Sequence, residues 1–220
     1  MKIASSRSPK APGRNPERSR ERILDAAFAE FAAHGFAGAR VDRIAKRAAL
    51  NKRMLYHYFG DKECLFREVL RRKIAQRQAW GVATPDDPHE SLPYWFDLAW
   101  KDADWIRLLE WEALQFVDKT LIDEEERIEA AAHAVRRIRR RQKLGHLSNN
   151  FDAKQMLLAM MALTWFPVAF PQLTRLVTGQ ALSDPAFRQQ QREFLRNFAS
   201  GFEAGKSSHN GQVRVRGEVA

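Results

Sequence analysis

One cysteine, Cys64, stands among the 220 residues, so no internal disulfide can form and the chain suits a reducing compartment. No apolar run approaches the length of a membrane span, and the N-terminus has no apolar signal core, so a soluble cytoplasmic protein is expected. The six histidines (34, 57, 89, 133, 146 and 209) are scattered. No two sit one helical turn apart as zinc would require, and no Glu-x-x-His motif supports a metal in a helical bundle. A Gly-rich phosphate loop and a nucleophile elbow are also missing. These absences argue against an enzyme and against any metal or cofactor. Strand-like alternation of useful length is missing as well, and the expected fold is all-α.

What the chain does have is positive charge, and it is all at one end. Residues 1–80 hold 19 Lys and Arg against 8 Asp and Glu; residues 81–220 hold 18 against 19. The net charge of +10 therefore belongs to the first third. A basic segment on a near-neutral body is the electrostatic footprint of a polyanion binder. An acidic membrane surface would need a basic helix with an exposed apolar face. The apolar positions here form compact, core-like stripes instead, which favours nucleic acid.

Residues 1–15 carry Lys2, Lys10, Arg7 and Arg14 among Ser, Pro and Gly, and read as a disordered basic arm. Asn15-Pro16 starts a helix, Ile23, Leu24, Ala27, Phe28 and Phe31 keep its period, and Gly35 ends it. A second helix carries Val41, Ile44, Ala45 and Ala48, a third spans about 52–58, and a fourth begins at Asp61. Thr84-Pro85-Asp86-Asp87-Pro88 is a break that places a domain boundary near residue 82. Helices are then predicted over 89–101, 103–119, 123–144, 152–166 and 171–179, with a last one from Pro185 to about 204. The expected organisation is an arm (1–15), a three-helix helix-turn-helix DNA-binding domain (16–82), a larger helical effector-binding and dimerisation domain (83–204) and a disordered tail (205–220).

Residues 40–62 concentrate the function. Two short helices meet at a tight turn, and the second begins polar and cationic and ends in aromatics. Asn51 is placed to cap the third helix, leaving Lys52, Arg53 and Met54 in its first turn. That turn is the part of a helix-turn-helix that meets base edges, where Lys or Arg can bond guanine. Tyr56 can offer its hydroxyl to a phosphate, Lys62 can reach the backbone, and Leu55, Tyr58 and Phe59 face back into the core.

Four blocks then share one order: R-x-x-I-L-D-A-A from Arg20, F-x-x-x-G-F from Phe31, V-D-x-I-A from Val41, and L-Y-H-Y-F-x-x-K-E-x-L from Leu55. Together they resemble the TetR/AcrR family of bacterial transcriptional regulators, over about Arg20 to Leu70. The resemblance implies a dimeric repressor whose C-terminal helical domain binds a small molecule and then releases a palindromic operator. It also implies that Arg40 and Arg43 approach phosphates, that Asn51, Lys52, Arg53, Met54 and His57 face the major groove, and that Tyr56 and Lys62 hold the backbone. Two positions depart from the family pattern. Arg40 replaces a Thr or Ser, which loses an N-cap and gains a cation. Ala49 replaces a turn Gly, and since Ala is strained at positive φ, a turn of different shape is predicted.

The body is read from composition. Trp95, Trp105, Trp111, Phe116, Met160, Trp165 and Phe166 are candidates for an aromatic-walled pocket taking a largely apolar effector, beside the bland account that each is a core residue. Phe187, Phe194, Phe198 and Phe202, with Leu195 and with Met156 of the 152–166 segment, are candidates for a four-helix dimer interface. Asp123 to Glu126 followed by six cations in 136–143 fits the helix dipole, though an anionic effector or DNA contact stays open. The rival reading is an architectural DNA-binding protein without an effector, its basic arm in a minor groove.

Overall fold

The computed structural model describes residues 15–115 and 121–203, the side chains of 78–82 apart. The predicted basic arm, the predicted tail and Phe116 lie outside the described residues. Ten α-helices follow in order, and no strand occurs among the described residues. They are α1 (Pro16–Gly38), α2 (Val41–Arg47), α3 (Lys52–Phe59), α4 (Lys62–Val82), α5 (Pro88–Lys101), α6 (Ala103–Gln115), α7 (Glu124–Lys143), α8 (Ala153–Ala169), α9 (Pro171–Thr178) and α10 (Pro185–Phe198). A 3-10 turn, Ala199–Phe202, closes the series, so the last helix tightens several residues before the predicted end.

Among the described residues, 15–83 and 98–128 form one compact unit, and 84–97 with 129–203 form a second. The sequence placed a boundary near residue 82; the packing draws it differently, because α6 lies along α1 and joins the first unit. In that unit α1 starts as its sequence demands. The Asn15 side chain accepts the amides of Glu17 and Arg18, and Pro16 occupies the first turn. Ile23, Leu24, Ala27 and Phe31 are fully buried. Asp61 caps α4 by accepting the Cys64 amide at 2.7 Å, and α4 adds Leu65, Phe66, Val69 and Leu70 to the core. Phe66 meets Phe31 edge-on at 4.9 Å and Phe36 at 5.3 Å. Leu55 and Phe59 of α3 close the core from the other side.

The α2–α3 turn overturns one expectation. Ala49 does adopt positive φ, at 49°. The Leu50 amide reaches Ala45 O at 3.0 Å and the Ala49 amide reaches Lys46 O at 3.1 Å, the paired bonds of a Schellman motif. The same motif closes α7, where Gly145 holds the left-handed position and the His146 amide reaches Arg141 O. The turn therefore keeps a left-handed residue where a glycine would sit without strain, and Ala49 carries the strain. Ala49→Gly should remove about 1 kcal/mol of it, offset in part by the greater freedom of glycine in the unfolded chain. A net rise in melting temperature of about 2 °C is expected by circular dichroism; a fall would mean the left-handed turn is not strained.

In the second unit α8 runs on to Ala169 instead of stopping at Pro167. A proline so near the end forfeits only one intrahelical bond, and the Phe170 amide still reaches Phe166 O at 2.9 Å. A 90° bend leads into α9. No single helix is long and apolar enough to cross a membrane among the described residues. Helix α9 buries Thr174, whose hydroxyl donates to Pro167 O, and turns Leu173, Leu176 and Val177 outward. Asp97 of α5 draws in Arg188 and Arg192 of α10, while Phe187, Leu195 and Phe202 are buried.

His89 clamps the end of α10. Its Nδ1 lies 2.7 Å from Arg196 O and its Nε2 2.8 Å from a Glu203 carboxylate oxygen. Both partners are acceptors, so the imidazolium, which donates from both nitrogens, is the fitting species. The Glu203 carboxylate, then the Arg196 carbonyl, raise the His89 pKa above its ordinary 6.5 against the opposing effect of burial. A pKa raised in the folded state gives stability that is complete below the unfolded value and lost as pH rises through the folded one. The melting-temperature gap between wild type and His89→Gln should therefore be widest below about pH 6.5 and shrink as the pH is raised above it; a gap that widens with pH would refute the clamp.

Candidate DNA-binding site

Residues 40–62 hold seven Lys and Arg against two Asp. The fold decides which of those cations are available. Asn51 caps α3 as the sequence predicts, its side chain accepting the Met54 amide at 2.9 Å. This fixes Lys52 and Arg53 in the first turn, both exposed. Tyr56 and His57 are exposed one turn on, while Leu55 and Phe59 are buried and Tyr58 is half-buried. Asn51, Lys52, Arg53 and Tyr56 line one shallow concavity on this surface. The helix thus offers a polar, cationic face outward and anchors its back in the core.

The other predicted contacts fare differently. Lys52 Nζ pairs with Asp42 at 3.0 Å, which raises its pKa and braces α2 against α3. Both groups are well exposed, so water and salt screen that pair. Arg43 is spoken for from behind: its Nε donates to Glu30 at 2.6 Å and its other end to Gly38 O at 3.1 Å. Lys62 lies 4.8 Å from the Phe36 ring centroid and donates to Ala37 O at 3.4 Å. Burial lowers its pKa, with Glu30 pulling the other way. Arg40 is exposed and Met54 half-buried.

Sequence reasoning missed Lys46 and Arg47, exposed at the C-terminal end of α2 beside the turn. It also missed Arg22, which reaches from α1 to Ala49 O at 3.5 Å. Above all it missed Glu30, a carboxylate in the apolar face of α1. An acid at a core position of an amphipathic helix is the signal that points to it.

The body candidates divide between the units. Trp105 and Trp111 belong to the first. Trp105 is buried beneath the Arg77 guanidinium, and Trp111 donates from Nε1 to Ala32 O at 3.2 Å. Both thus have structural employment in this unit. Trp95, Met160 and Trp165 are half-buried in the second, and Phe166, expected in the same pocket, is exposed. Of the expected dimer residues, Met156, Phe187, Leu195 and Phe202 are buried in the core, because their helices fold those positions inward. Phe194 and Phe198 do face outward, ring to ring at 5.5 Å. On the cationic run, Arg136 pairs with Glu129 at 2.7 Å and Arg137 donates to Thr84 O, while Arg139, Arg140 and Lys143 are exposed. No group of three or more metal-binding side chains gathers among the described residues.

A capped recognition helix set on a buried three-helix core, with cations in its first turn, defines a helix-turn-helix DNA-binding regulator. The chain belongs to the TetR family of bacterial transcriptional regulators. Residues 23–69 match the model for bacterial regulatory proteins of the tetR family, and residues 93–200 match the tetracyclin repressor-like C-terminal domain. The HTH-type transcriptional repressor SCO4008 of Streptomyces coelicolor is 36% identical over 166 residues, 76% of this chain and 86% of that protein. The HTH-type transcriptional repressor NicS of Pseudomonas putida is 42% identical over 79 residues, 34% of this chain and 37% of that one. Among solved structures, the regulator SCO4942 of Streptomyces coelicolor superposes with a TM-score of 0.71 at 30% identity, covering 85% of this chain and 99% of its own. A Saccharomonospora viridis regulator solved with choline shares the fold, at a TM-score of 0.64 and 20% identity over 86% of this chain and all of its own. These relatives are transcriptional regulators, not enzymes.

Proposed function

We propose that the protein is a homodimeric, cytoplasmic repressor that reads an inverted-repeat operator through α3 and is released by a small, largely apolar or aromatic effector. The carrying observation is the first turn of α3, where Asn51 fixes Lys52 and Arg53 outward over a buried Leu55 and Phe59. Arg53 reads a base edge, Tyr56 and Lys62 hold the backbone, and Arg40, Lys46 and Arg47 add phosphate contacts. Dimerisation is supported by the outward apolar positions of α8, α9 and α10, and by the little sequence that one short helix can read. Trp95, Met160 and Trp165 of the second unit are the effector-facing candidates. The choline complex of the Saccharomonospora relative supports a small molecule as a ligand of this fold. Release requires that the effector bind better to the arrangement of recognition helices that does not fit DNA.

Selection from a random duplex library at near-physiological salt tests this reading. An enriched inverted repeat is expected. Salt-sensitive binding without enrichment would favour the architectural alternative, since specific binders gain about 10³-fold or more over random duplex. Arg53→Ala should then cost about 1–3 kcal/mol on the selected site and relax preference at one base pair per half-site. Binding to single-base-pair variants of that site measures it, and unchanged preference would mean the docking register is wrong.

A further inference from the structure

Arg40 is the N-cap of α2 and makes no side-chain capping bond, so the first helix of the motif has no N-cap side-chain bond of its own. From α1, Glu30 holds the amide of that N-cap residue instead. Its side chain is almost wholly buried, and Oε1 accepts the Arg40 amide at 3.0 Å and Arg43 Nε at 2.6 Å. His34, one turn along α1, stands 3.9 Å from the other oxygen. In a capping box a carboxylate within the helix accepts the amide of the N-cap residue. Here a carboxylate on the preceding helix does so, and through Arg43 it also holds the connecting Gly38 carbonyl.

Burial by itself pushes the Glu30 carboxyl up, but the Arg40 amide and the Arg43 guanidinium outweigh it and hold the group below the usual range. The carboxylate is therefore charged and engaged on the side of α2 that faces the core. Arg43, which the family resemblance sends to the DNA, is drawn back onto Glu30 and Gly38. Arg40 is left exposed, and among the described residues its amide, not its side chain, is what Glu30 holds.

We propose that Glu30 is a positioning residue for DNA recognition, fixing the start of α2 from behind and so freeing position 40 to carry a cation toward phosphate. The proposal rests on the operator-reading function given above. It makes the reach of the Glu30 oxygen, rather than its charge alone, the decisive property. Gln keeps that reach and loses the charge; Asp keeps the charge and loses the reach; Met fills the space and loses both.

Binding of Glu30→Gln, Glu30→Asp and Glu30→Met to the selected repeat and to random duplex provides the test. It is run where each variant keeps wild-type helix content, with exchange of the Arg40 amide followed in parallel. Glu30→Gln should stay within about twofold of wild type, while the Asp and Met variants lose about tenfold in site preference per half-site and exchange the Arg40 amide faster. Wild-type preference in both Asp and Met variants would overturn the proposal. If the Met variant does not fold, the Asp and Gln pair decides alone. If wild type itself shows no preferred site, the operator-reading function falls and the recognition role of Glu30 falls with it. The exchange data would in that case still separate the local contact from the failed function.

Discussion

Gly35→Ala should be among the most damaging single substitutions in the chain, though it adds only one methyl group. Gly35 sits at φ 66° and ψ 178°, a conformation that is essentially confined to glycine. There α1 breaks, between Phe36 N–H and Ala32 O, the groups that a continuous helix would pair. Helix α6 repairs both ends. Gln115 Oε1 accepts the Phe36 amide at 3.0 Å, and Trp111 Nε1 donates to Ala32 O at 3.2 Å. A Cβ at Gly35 would stand 2.9 Å from Trp111 ring carbons and 2.6 Å from Gln115 Nε2. Backbone strain and overpacking each cost about 1–3 kcal/mol. Together they should lower the melting temperature by roughly 10 °C for a chain of this size. The α1–α2 connection would shift with them, so operator binding should fall even where the variant is folded. Gly38→Ala is the control, since its Cβ would meet only His34 Cβ at 3.4 Å. Equal melting of the two variants would mean that α6 does not grip the break.

That grip explains what was legible in the sequence and what was not. Local rules carried the recognition helix: Asn51 as N-cap, the cations after it, and Leu55 and Phe59 behind are each fixed by residues within one turn of themselves. The all-α class followed from helical periodicity, and the starts of α1 and α4 from Asn15 and Asp61, whose side chains accept early amides. Contacts between distant segments were not legible. Nothing local says that Trp111 and Gln115 close a break 79 residues earlier, or that Glu30 serves Arg40. The error at Ala49 has the same root. A strained residue was read as a changed turn, whereas the two backbone bonds of the motif hold the turn and leave Ala49 at positive φ. The amphipathic last helix misled in another way. Phe187 and Leu195 share its periodicity with Phe194 and Phe198, and spacing alone does not say which side meets the core.

Phe198→Glu should convert the proposed dimer into a monomer while leaving the subunit folded. Phe194 and Phe198 of α10 project outward, as do Leu158 and Phe166 of α8 and Leu173, Leu176 and Val177 of α9. Helix α9 buries a threonine and exposes its aliphatic side chains, with Val177 85% exposed. A helix with no partner has no reason to be built that way. These outward side chains, with Phe170, are large apolar groups of the kind that the core of a protein interface buries. A twofold interface meets each substitution twice, and an uncompensated buried charge costs about 3–5 kcal/mol. Sedimentation should therefore show a monomer at concentrations where wild type is dimeric. Affinity for the selected repeat should drop by about 10² or more, while affinity for random duplex changes far less. Leu114→Glu, at an exposed leucine of α6 in the other unit, should leave both properties intact. If Phe198→Glu remains a dimer, the outward phenylalanines serve another partner and the two-fold axis lies elsewhere on the second unit.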